Sequence, residues 1–217
     1  FSSRPGAVII SAEEEYDRLA PVLETVSRLA PDVPISVDTF RASVAKKCID
    51  NFNVDIINDI SGGNLDAEII DVVAELKKVY ILMHSRGTPE TMQSLTSYDD
   101  LVTEIISELA FKIAELRNRG FADIIVDPGF GFAKTTSQNF TLLKHLSEFK
   151  ILKCPILSGI SRKSMIWKTL GSTPEEALNG TTVLNTVSLM NGADIIRVHD
   201  VAAARECVLL VDRLHNS

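Results

Sequence analysis

The sequence predicts an α/β fold in which parallel strands alternate with helices and close into a (β/α)8 barrel, with about six strand–helix units inside residues 1–217. Three observations lead there. Short β-branched runs recur between amphipathic helical stretches, which is the pattern of βαβ units and parallel pairing. Each run stops at a polar or ionisable residue: Asp38, Asn58-Asp59, His84, Asp127, Ser158 and His199-Asp200. An open doubly wound sheet gathers its chemistry at one crevice, whereas a barrel draws it from the ends of many strands. Eight units take about 250 residues, so two strands are expected upstream, and the opening segment is then the loop after strand two.

The elements follow in order. Residues 1–7 read as loop, since proline adjoins glycine and two hydroxyls precede Arg4. A helix is expected from Ser11, with Glu14 completing a capping box, to Ala30 despite Pro21. Strands follow at 35–38, 55–59, 79–83, 124–127, 156–159 and 195–198. Helical patterns fill 42–51, 67–77, 99–119, 139–147, 174–190 and 202–215, with Gly120 and Gly192 placed as left-handed caps. The stripe Leu101, Ile105, Ile106, Leu109, Ile113 is packing. Glu13-Glu14-Glu15 and Asp194 read as solvated charge.

Composition narrows the function classes. At 45% hydrophobic and 24% charged, with mean hydropathy +0.13, the chain suits one globular domain over 1–217. A net charge of −7 and a pI near 5.1 exclude the basic face that nonspecific nucleic-acid binding needs. No apolar run reaches the roughly 18 residues of a membrane span. Cys48, Cys154 and Cys207 are odd in number and form no CxxC pair, as expected of reduced thiols in an intracellular compartment. The chain lacks an initiator methionine and reads as a cut within a longer one.

The most informative stretch is Ile124-Ile125-Val126-Asp127-Pro128-Gly129-Phe130-Gly131-Phe132. Pro128 cannot extend a ladder, so the strand ends on the Asp127 carboxylate. Gly129 and Gly131 allow close backbone approach, and Phe130 and Phe132 supply flat walls, a mouth suited to a planar, nitrogen-rich ring. Asp38 and Asn58 end other strands and can converge with Asp127 to read the donor edge of such a ring; the plainer alternative is a set of helix caps. Ser161-Arg162-Lys163-Ser164 at a helix start and Arg197-Val198-His199 fall at the strand-seven and strand-eight ends, where barrels bind phosphate. Arg197 and His199 have strand spacing, so both should point to one side. A metal site of Asp38, His84, Asp127 and His199 ranks lower, because no HxH pair or carboxylate triad is visible.

In this order the motifs identify a family. Ser-Ser-Arg-Pro-Gly-Ala at 2–7, Ile-Ser-Val-Asp-Thr at 35–39, Ile-Asn-Asp-Ile-Ser-Gly-Gly at 57–63, Met-His-Ser-Arg-Gly-Thr-Pro at 83–89, the Asp127 turn, Ser-Arg-Lys-Ser and Arg-Val-His-Asp-Val together resemble dihydropteroate synthase over the whole length. The resemblance implies a transferase of folate biosynthesis that joins 6-hydroxymethyl-7,8-dihydropterin pyrophosphate to p-aminobenzoate, with Mg²⁺ as cofactor. It assigns the pterin to Asp38, Asn58, Met83, Asp127, Phe130 and Lys163, with Lys163, Asp127 and Asp38 as the catalytic group. Arg197 and His199 would take the pyrophosphate, and Ser3, Arg4, Pro5 and Ser164 the p-aminobenzoate. The Mg²⁺ ligand is expected on a first loop outside this sequence. The resemblance also implies sulfonamide inhibitors, fusion to other folate enzymes in some relatives, and a cytoplasmic location, or a mitochondrial one if fungal; apolar positions expected to face outward on the last helices, such as Val208, Leu209 and Val211, allow a homodimer. Departures from the family pattern are Ser3 for threonine, Ser85 for methionine, Ala133 for a third glycine and Ala177 for arginine.

Three alternatives compete. A pterin-binding methyltransferase barrel shares the strand-end carboxylate and amide but has no pyrophosphate to bind. A Schiff-base aldolase would use Lys163 as nucleophile. A catalytically inactive barrel could serve as a module of a multidomain folate enzyme.

Overall fold

The structure is a computed structural model that describes residues 10–88 and 91–217. Ser3, Arg4 and Pro5, expected at the amine pocket, lie outside the described residues, as does Pro89. Strands β1 (Ser36–Asp38), β2 (Ile56–Asp59), β3 (Val79–Met83) and β4 (Ile124–Asp127) pair in parallel in that order. Strands β5 (Leu157–Ser158) and β6 (Ile195–Ile196) form a second parallel pair, and a bridge from Val126 to Ile156 joins the two sets. The six strands are therefore neighbours in sequence order. Helices separate them, which gives an α/β fold. At the C-terminal edge the Arg197 guanidinium, one residue past β6, lies 2.5 Å from the Asp38 carboxylate at the end of β1.

Alternation along each strand sorts the side chains onto two faces. Val37, Ile57, Tyr80, Leu82, Ile124, Val126 and Ile156 face the helices and belong to the larger core. Ile81, Ile125 and Leu157 face the other way and pack with Ile56, Val79 and Ile195 as a smaller, separate core. By the same parity Asp38, Asn58, Met83, Asp127 and Arg197 sit on this second face, one step beyond its apolar layer at the C-terminal ends. Asp59, one residue from Asn58, falls on the helix side. Its carboxylate accepts from the amides of Ser61 and Gly63 and from the Tyr80 hydroxyl, at 2.7, 2.7 and 2.8 Å.

The helices answer to local chemistry with instructive shifts. Helix α1 (Ala12–Leu29) contains Pro21, as expected, but only half of its capping box forms. Ser11 accepts from Glu14 N, while the Glu14 carboxylate turns to Arg18. Glu15 is not solvated: it is 1% exposed and paired with Arg41 at the start of α2 (Ala42–Phe52). Asp194 is exposed, as read, and also accepts from Ile156 N at 2.8 Å. Helix α3 spans Glu68–Glu75, and α4 (Leu101–Asn118) buries Leu101, Ile105, Leu109 and Ile113 while Ile106 stays partly exposed. Gly120 and Gly192 take φ of +88° and +91°, as placed.

Helix α5 (Thr136–Lys144) starts three residues before the periodicity suggests, because Thr135 and Gln138 form a full capping box. A seven-residue helix α6 (Ser164–Leu170) starts where the Ser161–Ser164 motif marks a helix start, though no periodic pattern gave its extent, and α7 (Leu178–Met190) begins four residues late. Helix α8 (Val201–His215) closes the described chain. Among the described residues no helix is long and apolar enough to cross a membrane. On α8, Val208 and Leu209 are exposed, but Val211 is buried and so cannot contribute to an outward face.

Candidate active site

The site begins where β1 and β2 end. Asn58 Nδ2 donates to Asp38 Oδ1 at 2.8 Å, and Arg197 holds Asp38 Oδ2. The other end of the amide is unmatched: Asn58 Oδ1 is buried and accepts no hydrogen bond. A buried orphan acceptor costs about 1–3 kcal/mol, so a native chain that keeps one invites a donor from outside. Met83 is buried and lies in register beside Asp127 on the neighbouring strand.

Asp127 is 6% exposed. Burial lifts its carboxyl above the ordinary aspartate range, while the nearby Lys163 ammonium and the Gly129 amide pull the other way. That amide donates to Oδ1 at 2.7 Å, leaving Oδ2 over Gly159. Gly129 is obligatory, with φ +74° and a position where a Cβ would meet the His84 carbonyl at 1.9 Å. Gly131, at φ +80°, lets the Lys163 side chain pass. Lys163 donates to the Phe130 carbonyl and lies 4.9 Å over the Phe132 ring. Burial depresses its ammonium to about 8, a shift that Asp127 opposes and Arg197 reinforces.

Lys163 also borders an open cleft of about 780 Å³, shared with Met92, Phe130, Phe132, Ser164, Trp167 and His199. The Phe130 ring is fully buried, so its backbone and the Phe132 ring are what the turn presents outward. Strand β6 stops at Ile196 and its ladder reaches no farther than Arg197, whose N–H donates to the Ser158 carbonyl, so strand spacing holds for Arg197 but does not carry on to His199. Arg197 reaches Asp38, whereas His199 Nδ1 pairs with the Ser161 hydroxyl at 2.9 Å. Of the basic pair after β5, Arg162 is spent on structure. In a left-handed conformation, φ 54°, it grips Asp200 through two bonds at 2.8 and 2.9 Å and caps the Pro174 and Glu175 carbonyls. Arg162 still lines the cleft, but its guanidinium is taken up by these contacts, whereas Lys163 lies against the Asp127 turn.

A group of buried charges escaped the sequence reading. Lys134 is 4% exposed, and its Nζ contacts the carbonyls of Gly129 and Phe132 at 3.0 Å each and His84 Nδ1 at 3.1 Å. His84 Nε2 then lies 3.0 Å from Glu108. These partners make Nδ1 the acceptor and Nε2 the donor, and burial, opposed by the Glu108 hydrogen bond, holds the imidazole neutral with its pKa near 4. Both ring nitrogens are thus occupied, which removes His84 from any metal reading. Among the described residues no group of three or more His, Cys, Asp or Glu could hold a metal ion. His84 and Lys134 stand fifty residues apart, and only the motif's order hinted that their loops meet.

A curved parallel sheet whose polar face ends in a carboxylate, an amide and a lysine is the frame of a pterin-binding protein. The family described as "Pterin binding enzyme" matches residues 1–199. A dihydropteroate synthase of Synechocystis is 44% identical over 216 residues, covering 98% of this chain and 74% of the relative. Among solved structures, Yersinia pestis dihydropteroate synthase with a sulfonamide drug superposes at TM-score 0.95 with 36% identity, over 100% of this chain and 78% of that one. The Thermus thermophilus enzyme in complex with 4-aminobenzoate gives 0.89 and 33%, over 98% and 81%. The chain belongs to the dihydropteroate synthase family of pterin binding enzymes, which are transferases.

Proposed function

We propose that this chain joins 6-hydroxymethyl-7,8-dihydropterin pyrophosphate to p-aminobenzoate, forming 7,8-dihydropteroate and releasing pyrophosphate. The observation that carries the reading is the buried, unpartnered Asn58 Oδ1 set between Asp38 and the desolvated Asp127. Ring N–H and exocyclic amine donors of a 2-amino-4-oxo ring would match Asn58 Oδ1 and Asp127 Oδ2, and the Lys163 ammonium would donate to an acceptor on the same ring. Met83 packs near that ring, and Phe130 contributes its backbone.

The chemistry follows from charge. Electron donation from the reduced ring weakens the exocyclic C–O bond; that bond breaks and the pyrophosphate leaves with its electron pair. Arg197 and His199 receive the anion, and the Asp38 and Asp127 carboxylates favour the cationic pterin left behind. The neutral aromatic amine then attacks the methylene carbon and loses a proton. Phe132, Ser164 and Trp167 wall the cleft from which the amine approaches, and Ser3, Arg4 and Pro5 complete the amine pocket. A sulfonamide competes there as an amine mimic. Mg²⁺ belongs to this reading as a companion of pyrophosphate, supplying charge for its departure. The described residues offer no donor cluster for it, and no step above depends on it.

The same reading makes the six-strand arc the greater part of a (β/α)8 barrel. It also pairs two copies through the apolar surface of α7 and α8, where Val183, Met190, Leu209, Leu210 and Leu214 are exposed. The test is pyrophosphate release that requires both substrates and is nearly abolished by Asp127→Ala or Lys163→Ala. Wild-type rates in either variant would overturn the assignment.

A further inference from the structure

The turn from Pro128 to Phe132 shapes the pterin end of the site, yet most of its polar groups point inward. Gly131 N donates to Asn139 Oδ1 at 2.7 Å. The carbonyls of Gly129 and Phe132, which bracket Phe130 and Gly131, both accept from Lys134 Nζ at 3.0 Å. Its third proton goes to His84 Nδ1. An ammonium has three donors, and here all three are matched inside the protein. The Phe130 carbonyl is left for Lys163.

We propose that Lys134 is a positioning residue for the pterin subsite, holding this turn so that Asp127 and the Phe130 carbonyl keep the places the substrate needs. The inference rests on the pterin reading above and adds to it a residue that does not touch substrate. Its leverage is short. Gly129 carries both the carbonyl that Lys134 holds and the amide that fixes Asp127 Oδ1. Moving that peptide moves the carboxylate. On the far side His84 is anchored by Glu108, which also binds Arg86, and Arg86 lies 4.0 Å over the Tyr98 ring. The Tyr98 hydroxyl donates to the Ala133 carbonyl at 3.0 Å. The loop after β3 and helix α4 therefore clasp the turn at two points, Lys134 from within and Tyr98 at its end. Only the first engages the carbonyls that bracket the site.

That difference supplies the control. Lys134→Met keeps the length and loses all three donors; Tyr98→Phe loses one bond to the same segment and leaves the bracketing carbonyls held. The measurements, on the full chain, are the Kd for the pterin pyrophosphate by calorimetry without amine, kcat and KM for p-aminobenzoate, and the thermal midpoint. Misplacing a substrate-positioning group by a fraction of an ångström predicts that Lys134→Met raises the pterin Kd about tenfold and lowers kcat, with p-aminobenzoate KM within about threefold of wild type. Tyr98→Phe should lower the midpoint and leave the pterin Kd unchanged. If Lys134→Met does not fold, His84→Leu, which leaves Lys134 two of its three acceptors, should raise the Kd about threefold. Wild-type pterin Kd in the folded Lys134 variant, or in His84→Leu where that is the variant read, overturns the inference alone. Failure of the wild-type chain to bind the pterin pyrophosphate overturns the function proposed above as well.

Discussion

Asn58→Ala should separate stability from binding, because the two ends of the amide work in opposite directions. Nδ2 donates to Asp38 at 2.8 Å, a bond to a charged but half-exposed carboxylate that Arg197 also holds. Its loss costs about 1 kcal/mol. Oδ1 is buried without a partner, and removing it relieves about 1–3 kcal/mol. Lost side-chain contacts offset part of that gain. The net change in the free protein should fall within about 1 kcal/mol of zero, which for a chain of this size moves the melting midpoint by no more than about 2–4 °C. The pterin complex loses a hydrogen bond that the free protein never had, so its Kd should rise by about 10- to 100-fold. Differential scanning calorimetry and titration calorimetry on the same preparation check both. A midpoint lowered by 10 °C or so with the Kd unchanged would mean that the orphan acceptor is satisfied in the free protein, and the ligand argument would fail.

Other expectations follow from single contacts. Gly129→Ala places a methyl 1.9 Å from the His84 carbonyl at φ +74°, so denaturant titration should show a loss above about 4 kcal/mol or no folded protein, and near-native stability would refute the turn geometry. Tyr80→Phe removes the buried bond to Asp59 and should cost about 1–3 kcal/mol by the same titration, with pterin affinity kept, since Asp59 faces the helices. Lys163 titrates near 8 in the folded chain against an ordinary 10.5, so between those values the unfolded chain binds more protons and this group's contribution to stability rises with pH. Pterin affinity should fall over the same interval as the ammonium is lost, and Lys163→Met should flatten both profiles.

What was legible in the sequence was whatever depends on neighbours along the chain. The ends of β1 to β4, the Gly120 and Gly192 caps and most of the α4 stripe are local patterns and appear where they were placed, whereas β5 and β6 stop one and two residues short. Parity along β2 even separates Asn58 from Asp59 once the strand's direction is known. Contacts between distant residues were not legible. Glu15 read as one of three solvated acids because Arg41, its partner, lies on the next helix. Arg162 and Lys163 were indistinguishable as adjacent cations until the left-handed backbone at Arg162 turned one to Asp200 and the other to Phe130. The paired spacing of Arg197 and His199 misled because the ladder of β6 stops at Arg197 and does not reach His199. Helix α6 is too short for a periodic signal to build up.

The distribution of charge bears on how the proposed substrate would sit. Burial works against every ion at the inner end: it raises the Asp127 carboxyl and depresses Lys163 to about 8 and Lys134 to about 7. A second formal charge placed there would meet the same desolvation cost, whereas a neutral ring with its own donors and acceptor adds hydrogen bonds and no charge. Arg197, by contrast, is 56% exposed and shares Asp38 with Asn58 at the rim. An anion can displace that half-exposed carboxylate contact at small cost, because exposed pairs contribute little. The gradient from dry to wet therefore favours one orientation, with the neutral ring inward and the pyrophosphate outward. Replacing Arg197 by methionine should then weaken the pterin pyrophosphate far more than the corresponding alcohol, which lacks the anion. Equal losses for the two ligands by calorimetry would show that Arg197 serves the ring through Asp38 and would reverse the assignment of the two ends.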